Sequence, residues 1–408
     1  MTRATKATGR AAGLYAAMMS GAALLSLAGS AQLSAQSGQL AGQRLSTVTQ
    51  VSLAGAIADA RAAIARSPGS RYTIALPAGV HDLSGGDARA ASIDLSRIDA
   101  CPGMLTITGA GKDRTTIITD DDLVGIMGRR TSCVTVADLT MTRRKIETTQ
   151  GHVVALTPNS VTIDIPQGFP APTSLLSNVQ EEYADGREVN RKWLRRFNET
   201  PQGPQIDVEQ PQVNWLSAVR APGGKGRWHF NLREGRNMPR LRPGDLIGVK
   251  SKFGRDAYRF TDGAHITFRG VRWLMETRGI FHRVDYVTIE DCSISPPPPI
   301  NGIRFALASS SGGPQIGHPM QPSQTRGHLV TGNDFRGTGD DALMFAHASG
   351  LVENNRLADS FALGIRIYES PGLRIGRNVT ERAPIVRIAD DVLENNNRPE
   401  RRRLRPAA

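Results

Sequence analysis

Asp340 and Asp341 stand side by side in Gly-Thr-Gly-Asp-Asp, a turn sequence that leads directly into the apolar stretch Ala-Leu-Met-Phe at Ala342. Two carboxyl groups crowded at the mouth of a strand shift each other's titration, so that one keeps its proton while the other ionises. That pairing suits cleavage of a glycosidic bond, in which a carboxylic acid protonates the leaving oxygen and a carboxylate activates water. The alternative is a structural turn whose aspartates only bond nearby backbone. Arg304, Arg366 and Arg387 recur in similar apolar contexts and could grip an anionic sugar or balance Asp340, Asp341 and Glu369. His318, in Ile-Gly-His-Pro-Met, could bind a hydroxyl or carry a proton, or simply lie exposed. No cluster has metal-ligand spacing and no Ser or Cys nucleophile signature occurs, so the expectation is an enzyme without metal or other cofactor.

Such side chains meet only if repeated strands stack in phase. The motifs GIRF at Gly302, ALMF at Ala342, GIRI at Gly364 and IVRI at Ile385 are separated by 40, 22 and 21 residues, and Gly279-Ile280-Phe281 precedes Gly302 by 23. A second landmark, apolar then small then apolar, begins at Phe268, Ile289, Val330, Val352 and Ile375, in steps of 21, 41, 22 and 23. It puts Asn333, Asn355 and Asn378 at equivalent points. Two ladders in step predict a solenoid of short strands, with Asn at corners bonding from rung to rung. Leucine is too sparse for leucine-rich repeats. This register sets Asp341 beside Asn301 on one neighbouring rung and Leu363 on the other. It also places Arg304, Arg366 and Arg387 in one outward column, with Met344 between the first two.

The rest of the chain divides around that solenoid. Residues 1–35 read as a secretory leader, with Arg3, Lys6 and Arg10 before a weakly apolar Ala- and Gly-rich run; the alternative is a membrane anchor. Residues 36–141 hold a helical cap at 53–66 and the first rungs, at 72–83, 105–119 and 134–141. Residues 142–264 break the pattern and read as an inserted β-rich subdomain or loop array. There Trp193, Trp215 and Trp228 lie among Arg191, Lys192, Arg195, Arg196 and Arg227, either to stack on sugars or to form the insert's own core. Residues 265–396 carry the main rungs, and 397–408 form a basic tail. Of three cysteines, Cys101 and Cys133 could bridge, while Cys292 falls on the ladder as a small core residue. The formal charge of +12 favours an anionic partner such as acidic polysaccharide over nucleic acid, for which no motif is present. Gly-Ala-Gly-Lys at 109–112 lacks the Lys-Ser/Thr pair of a phosphate loop.

Through VTIEDCSI, GHLVTGNDFRGTGDDALMF and GLVENNRL, residues 265–369 resemble the glycoside hydrolases of the pectin-lyase-like β-helix superfamily, notably polygalacturonases and β-helix galactosidases. The resemblance implies an all-β, right-handed parallel β-helix and maps the family's acidic pair onto Asp340 and Asp341. The family's Asn-Thr-Asp turn, its His after the acidic pair and its Arg-Ile-Lys stretch are not in their expected places, which leaves acid and base unassigned. The expected function is an exported glycoside hydrolase, secreted or periplasmic and without stable membrane insertion, that cleaves a poly- or oligosaccharide with inversion. Arg304, Arg366, His318, Asn301 and Glu369 would bind substrate. One alternative is a polysaccharide lyase or uronate epimerase, with Arg304 or Arg366 neutralising a uronate and the aspartates holding calcium. The other is a glycan-binding protein without catalysis.

Overall fold

Short alternating strands broken by single left-handed corner residues make a chain coil onto itself instead of doubling back as hairpins. The computed structural model describes residues 43–47, 53–84, 90–175, 192–210, 212–233, 240–250, 255–275, 278–388 and 405–406. The leader at 1–35, Arg191 and almost all of the basic tail lie outside them.

Parallel strands stack into three faces of a β-helix. The first face contains Val124–Arg129, Pro314–Ile316, Leu343–Ala346, Ile365–Tyr368 and Ile385–Ile388. The second contains Arg71–Ala75, Met104–Thr108, Ser132–Ala137, Thr325–Thr331, Ala348–Glu353 and Leu373–Gly376, and the long strands Tyr258–Arg269 and Gly279–Glu290 run from the first face into it. The third is an eight-stranded sheet that includes Thr140–Arg143, Arg272–Leu274, Ser293–Ser295, Asp334–Arg336, Arg356–Ala358 and Val379–Glu381. Corners between the first and second faces are single positive-φ residues, Arg130, Arg283, His347 and Glu369. Those between the second and third include Asp138, Asp291, Asn354 and Arg377.

What holds the coils in phase is a set of inward columns. Ile74, Ile107, Val136, Phe268, Ile289, Val330 and Val352 are register partners through seven successive rungs, and each is at most 1% exposed. Neighbours in such a column sit about 4.8 Å apart, and burying each side chain contributes about 1.5–3 kcal/mol. The asparagines form the expected ladder. Asn333 Oδ1 accepts from Cys292 N at 2.9 Å, Asn355 Oδ1 from Asn333 Nδ2 at 2.7 Å and Asn378 Oδ1 from Asn355 Nδ2 at 2.8 Å. Cys292 is buried at the ladder's foot, and burial pushes its thiol up to about 12. Cys101 and Cys133 are joined by a disulfide. The helix Leu53–Arg66 buries Leu53, Ala56, Ile57, Ala60 and Ile64, one stripe at helical spacing, into the same core and so covers rung ends that would otherwise be open.

His328 sits inside this packing. Its Nδ1 accepts from Val287 N at 3.3 Å and its Nε2 lies 3.0 Å from Thr325 Oγ1, so the neutral Nε2–H tautomer satisfies both contacts. Burial pulls its pKa down from 6.5 to about 4. Between those values the unfolded chain holds a proton that the folded one refuses, so this group's contribution is present above about pH 6.5 and is lost as pH falls through 4. NMR titration is expected to find His328 neutral down to about pH 4, and a midpoint near 6.5 would refute that packing.

Between Thr140–Arg143 and Tyr258 the chain leaves the solenoid. Thr148–Thr157, Ser160–Asp164, Arg227–Leu232, Val213–Arg220, Trp193–Thr200 and Leu246–Lys250 pair antiparallel in a closed ring, and Gly203–Ile206 forms a hairpin on Trp193–Thr200. Closure leaves this six-stranded barrel with little unpaired edge. Trp215 and Trp228 are 1% and 6% exposed in its core beside Phe230, so these two indoles are packing residues, unavailable for sugar stacking.

The expected register fails at two rungs. Pro314-Gln315-Ile316, and not Gly302-Ile303-Arg304-Phe305, pairs with Leu343–Ala346. Gly302 lies in the long connection 296–313, and the extra length falls before the strand instead of after it. In the last rung Arg366 pairs with Val386 and Ile367 with Arg387. The outward column is therefore Arg259, Ile280, Gln315, Met344, Arg366 and Val386; Arg304 and Arg387 do not belong to it.

Candidate functional site

The acidic turn connects the third face to the first, and its backbone is fixed from both sides. Gly339 N donates to Ser311 O at 2.8 Å, Phe361 N to Thr338 O at 2.8 Å, Gly313 N to Asp341 O at 3.0 Å and Ala342 N to Leu363 O at 2.8 Å. A Cβ on Gly339 would come within 2.4 Å of Ser309 O, so only glycine lets the two connections lie this close. Leu363 is Asp341's neighbour on the following rung, as the register predicts, and Gly312 takes the place expected for Asn301. Asn301 is exposed and donates to Gln167 O at 3.1 Å, away from the acidic turn's own contacts.

Asp341 and Arg366 form a bidentate pair: Nη2 donates to Oδ1 at 2.9 Å and Nε to Oδ2. Both side chains are 12% exposed. Burial, reinforced by neighbouring Asp340, pushes the Asp341 carboxyl up to about 6, and the Arg366 guanidinium restrains the rise. Asp340 is half-buried, and its side chain makes no hydrogen bond or ion pair among the described residues. The sequence-predicted pair thus consists of one clamped and one free carboxyl group.

The barrel supplies further residues, of which the sequence named Arg195 and Trp193 among the insert's basic and indole side chains but not Lys250 or Glu147. Lys250, at the end of Leu246–Lys250, is 2% exposed; its Nζ donates to Gly339 O and lies 4.5 Å from the Trp193 ring and 4.6 Å from that of Phe361. Arg195 Nη1 donates to Phe361 O. Glu147, just ahead of the barrel, accepts from Ser310 Oγ at 2.6 Å in the connection that flanks Gly339. No local motif marks these residues, since each acts on a partner about 90 to 166 positions away. Lys250→Met is expected to cost about 2–4 kcal/mol, from a charge-assisted hydrogen bond and desolvated cation–π contacts. It should also move Asp341 higher still, because Lys250 now holds that carboxyl down. Denaturant midpoints and carboxyl NMR check both; an unchanged Asp341 would sever the barrel from the acidic turn.

The remaining candidates lie elsewhere. Glu369 and His318 occupy corners between the first and second faces, a four-residue strand, roughly 13 Å, from the acidic turn. Glu369 Oε2 is 3.2 Å from Nδ1 of the buried His347. His318 Nδ1 accepts from Met320 N at 3.1 Å, and its ring centroid is 5.7 Å from that of His282. Burial lowers the pKa of both these histidines. Arg304 lines a different cleft beside the third face. Of the substrate-binding set, the structure brings only Arg366 to the aspartates. Among the described residues no group of three or more His, Cys, Asp or Glu side chains could hold a metal ion, and no helix is long and apolar enough to cross a membrane.

No family model and no curated protein matches the chain. Among solved structures it is similar to the catalytic domain of a GH87 alpha-1,3-glucanase determined with tetrasaccharides, at 12% identity and a TM-score of 0.39, over 83% of this chain and 44% of that one. The A-module of an Azotobacter vinelandii mannuronan C-5 epimerase matches at 14% identity and a TM-score of 0.31, over 82% and 75%. A Yersinia enterocolitica family 28 exopolygalacturonase matches at 12% and 0.31, over 81% and 56%. The chain thus spans less than half of the glucanase domain. All are right-handed β-helix proteins, and the likeness concerns the coil alone. These matches assign no chemistry to the acidic turn.

Proposed function

We propose that the chain is a carbohydrate-active enzyme, a glycoside hydrolase that cleaves a poly- or oligosaccharide at the acidic turn. The observation that carries this reading is a carboxyl group, Asp341, held just ahead of the strand Leu343–Ala346 and raised to about 6 by burial. A group of that strength retains enough proton near neutral pH to protonate a leaving glycosidic oxygen, and it releases the proton readily. Arg366 fixes the orientation of the carboxyl by its two-point contact. Asp340, free of side-chain partners, activates the water that attacks the anomeric carbon from the opposite side, which gives inversion.

The commitment of Arg366 to Asp341 weighs against a lyase or epimerase at the acidic turn, because that chemistry needs a cation there that is free to neutralise the uronate. Export, to the periplasm or the medium, belongs to the same reading and rests on the sequence of residues 1–35. The purified chain should be incubated with neutral and acidic glycans and assayed for reducing ends and for ultraviolet absorbance. New reducing ends without absorbance are expected. Unsaturated products would establish a lyase, and tight binding without any product would leave a binding protein.

A further inference from the structure

On the third-face side of the acidic turn, the barrel hairpin and the rung connections enclose a cleft of about 450 Å3. Arg304, Arg336, Arg356 and Arg382 line it, together with Gln202 and Gln205 from the hairpin; Asp340 and Asp341 do not. Its carboxylates are already matched. Arg382 grips Asp359 at 2.6 and 3.0 Å, and Arg356 grips Glu381 at 2.9 and 2.7 Å. Arg336 reaches Asp334 at 3.1 Å. Arg304 differs: it is exposed, donates only to the Pro201 carbonyl at 3.2 Å and has no carboxylate partner among the described residues.

Arg304 is also held in place. Gln150, 3% exposed inside the insert, donates to Arg304 O at 2.8 Å and accepts from Ala306 N at 2.5 Å. Phe305 packs into the barrel's core against Phe169, at 4.7 Å between ring centroids. Gly203, at φ 122° in the hairpin, lets the backbone lie against the Arg304 side chain, where a Cβ would meet Cδ at 3.4 Å. A guanidinium on so fixed a backbone loses little freedom when it binds an anion.

We propose that this cleft binds an acidic oligosaccharide, with Arg304 taking the carboxylate of a uronic acid residue. Gln202 and Gln205 meet the sugar hydroxyls, and Pro296 and Pro297 offer their rings to its C–H faces. Free phosphate fits less well, because a dianion calls for more than one unmatched cation and the cleft has one. The site is separate from the acidic turn and stands whether or not hydrolysis occurs there.

Calorimetric titration of the full chain with trigalacturonic acid, and with galactotriose as its neutral counterpart, tests this. Wild type and Asp341→Asn are expected to bind the acid at least tenfold more tightly than the neutral sugar, and Arg304→Gln to lose that preference. Arg304→Lys should recover part of it, which a folding defect would not allow. The proposal falls if wild type shows no preference for the acid, or if Arg304→Gln keeps it. Loss in Asp341→Asn with retention in Arg304→Gln would move the anion to the acidic turn. Reducing-end release by the same variants reports on the hydrolase reading separately.

Discussion

Asp341→Asn is expected to lower turnover on the cleaved glycan by about 10²- to 10⁴-fold, the range for removing a positioned general acid. The replacement keeps the side chain's shape and one oxygen for Arg366, so the turn's four flanking backbone hydrogen bonds remain. Reducing-end assays at matched folded concentration provide the check, and turnover near wild type would remove Asp341 from the chemistry. Stability supplies an independent reading. With a carboxyl at about 6 in the folded chain and about 3.9 unfolded, the native state holds a proton between those values that the unfolded state has released. The group's contribution is therefore full below about pH 4 and is lost as pH rises through 6. A bidentate arginine acting alone would give the opposite slope. Urea midpoints of wild type relative to Asp341→Asn should fall across that window. A rise would mean that the arginine outweighs burial.

Asn355→Ala should destabilise the fold by about 3 kcal/mol or more. Asn355 Oδ1 accepts from both Asn333 N, at 3.1 Å, and Asn333 Nδ2, at 2.7 Å, while its own Nδ2 donates to Asn378 Oδ1 and to Val330 O. Truncation strands several polar groups in a corner where Asn333 and Asn355 are 2% and 1% exposed, and each buried orphan costs about 1–3 kcal/mol. The costs do not simply add, since neighbouring rungs relax together. Asn333→Ala should be similarly severe, whereas Asn378→Ala, at the ladder's more exposed end, should be milder. Thermal or urea unfolding decides; a loss below about 1 kcal/mol would mean that water replaces the ladder.

The second landmark and its asparagines were readable because a corner that recurs every 22 or 23 residues from Asn333 to Asn378 leaves a periodic trace in the chain. The two ladders in step revealed the stacked rungs for the same reason: each rung must bury the same face on the next. The helical cap announced itself by its apolar stripe from Leu53 to Ile64. The Asp340-Asp341 turn was legible as two carboxyl groups ahead of a strand.

Tertiary structure alone decided the rest. Gly302-Ile303-Arg304-Phe305 has the composition of a rung, yet strand pairing is set by how much chain the preceding connection consumes, and composition does not record that length. Arg304 consequently belongs to a cleft on the third face and Arg366 to Asp341. Burial of Asp341, which makes its carboxyl a weaker acid, comes from groups around it, and Lys250 acts on the same turn from 89 positions away. Strand identity depends on side chains a few positions apart and is written locally. Which charges meet, and how much water they keep, depends on segments joined only by packing.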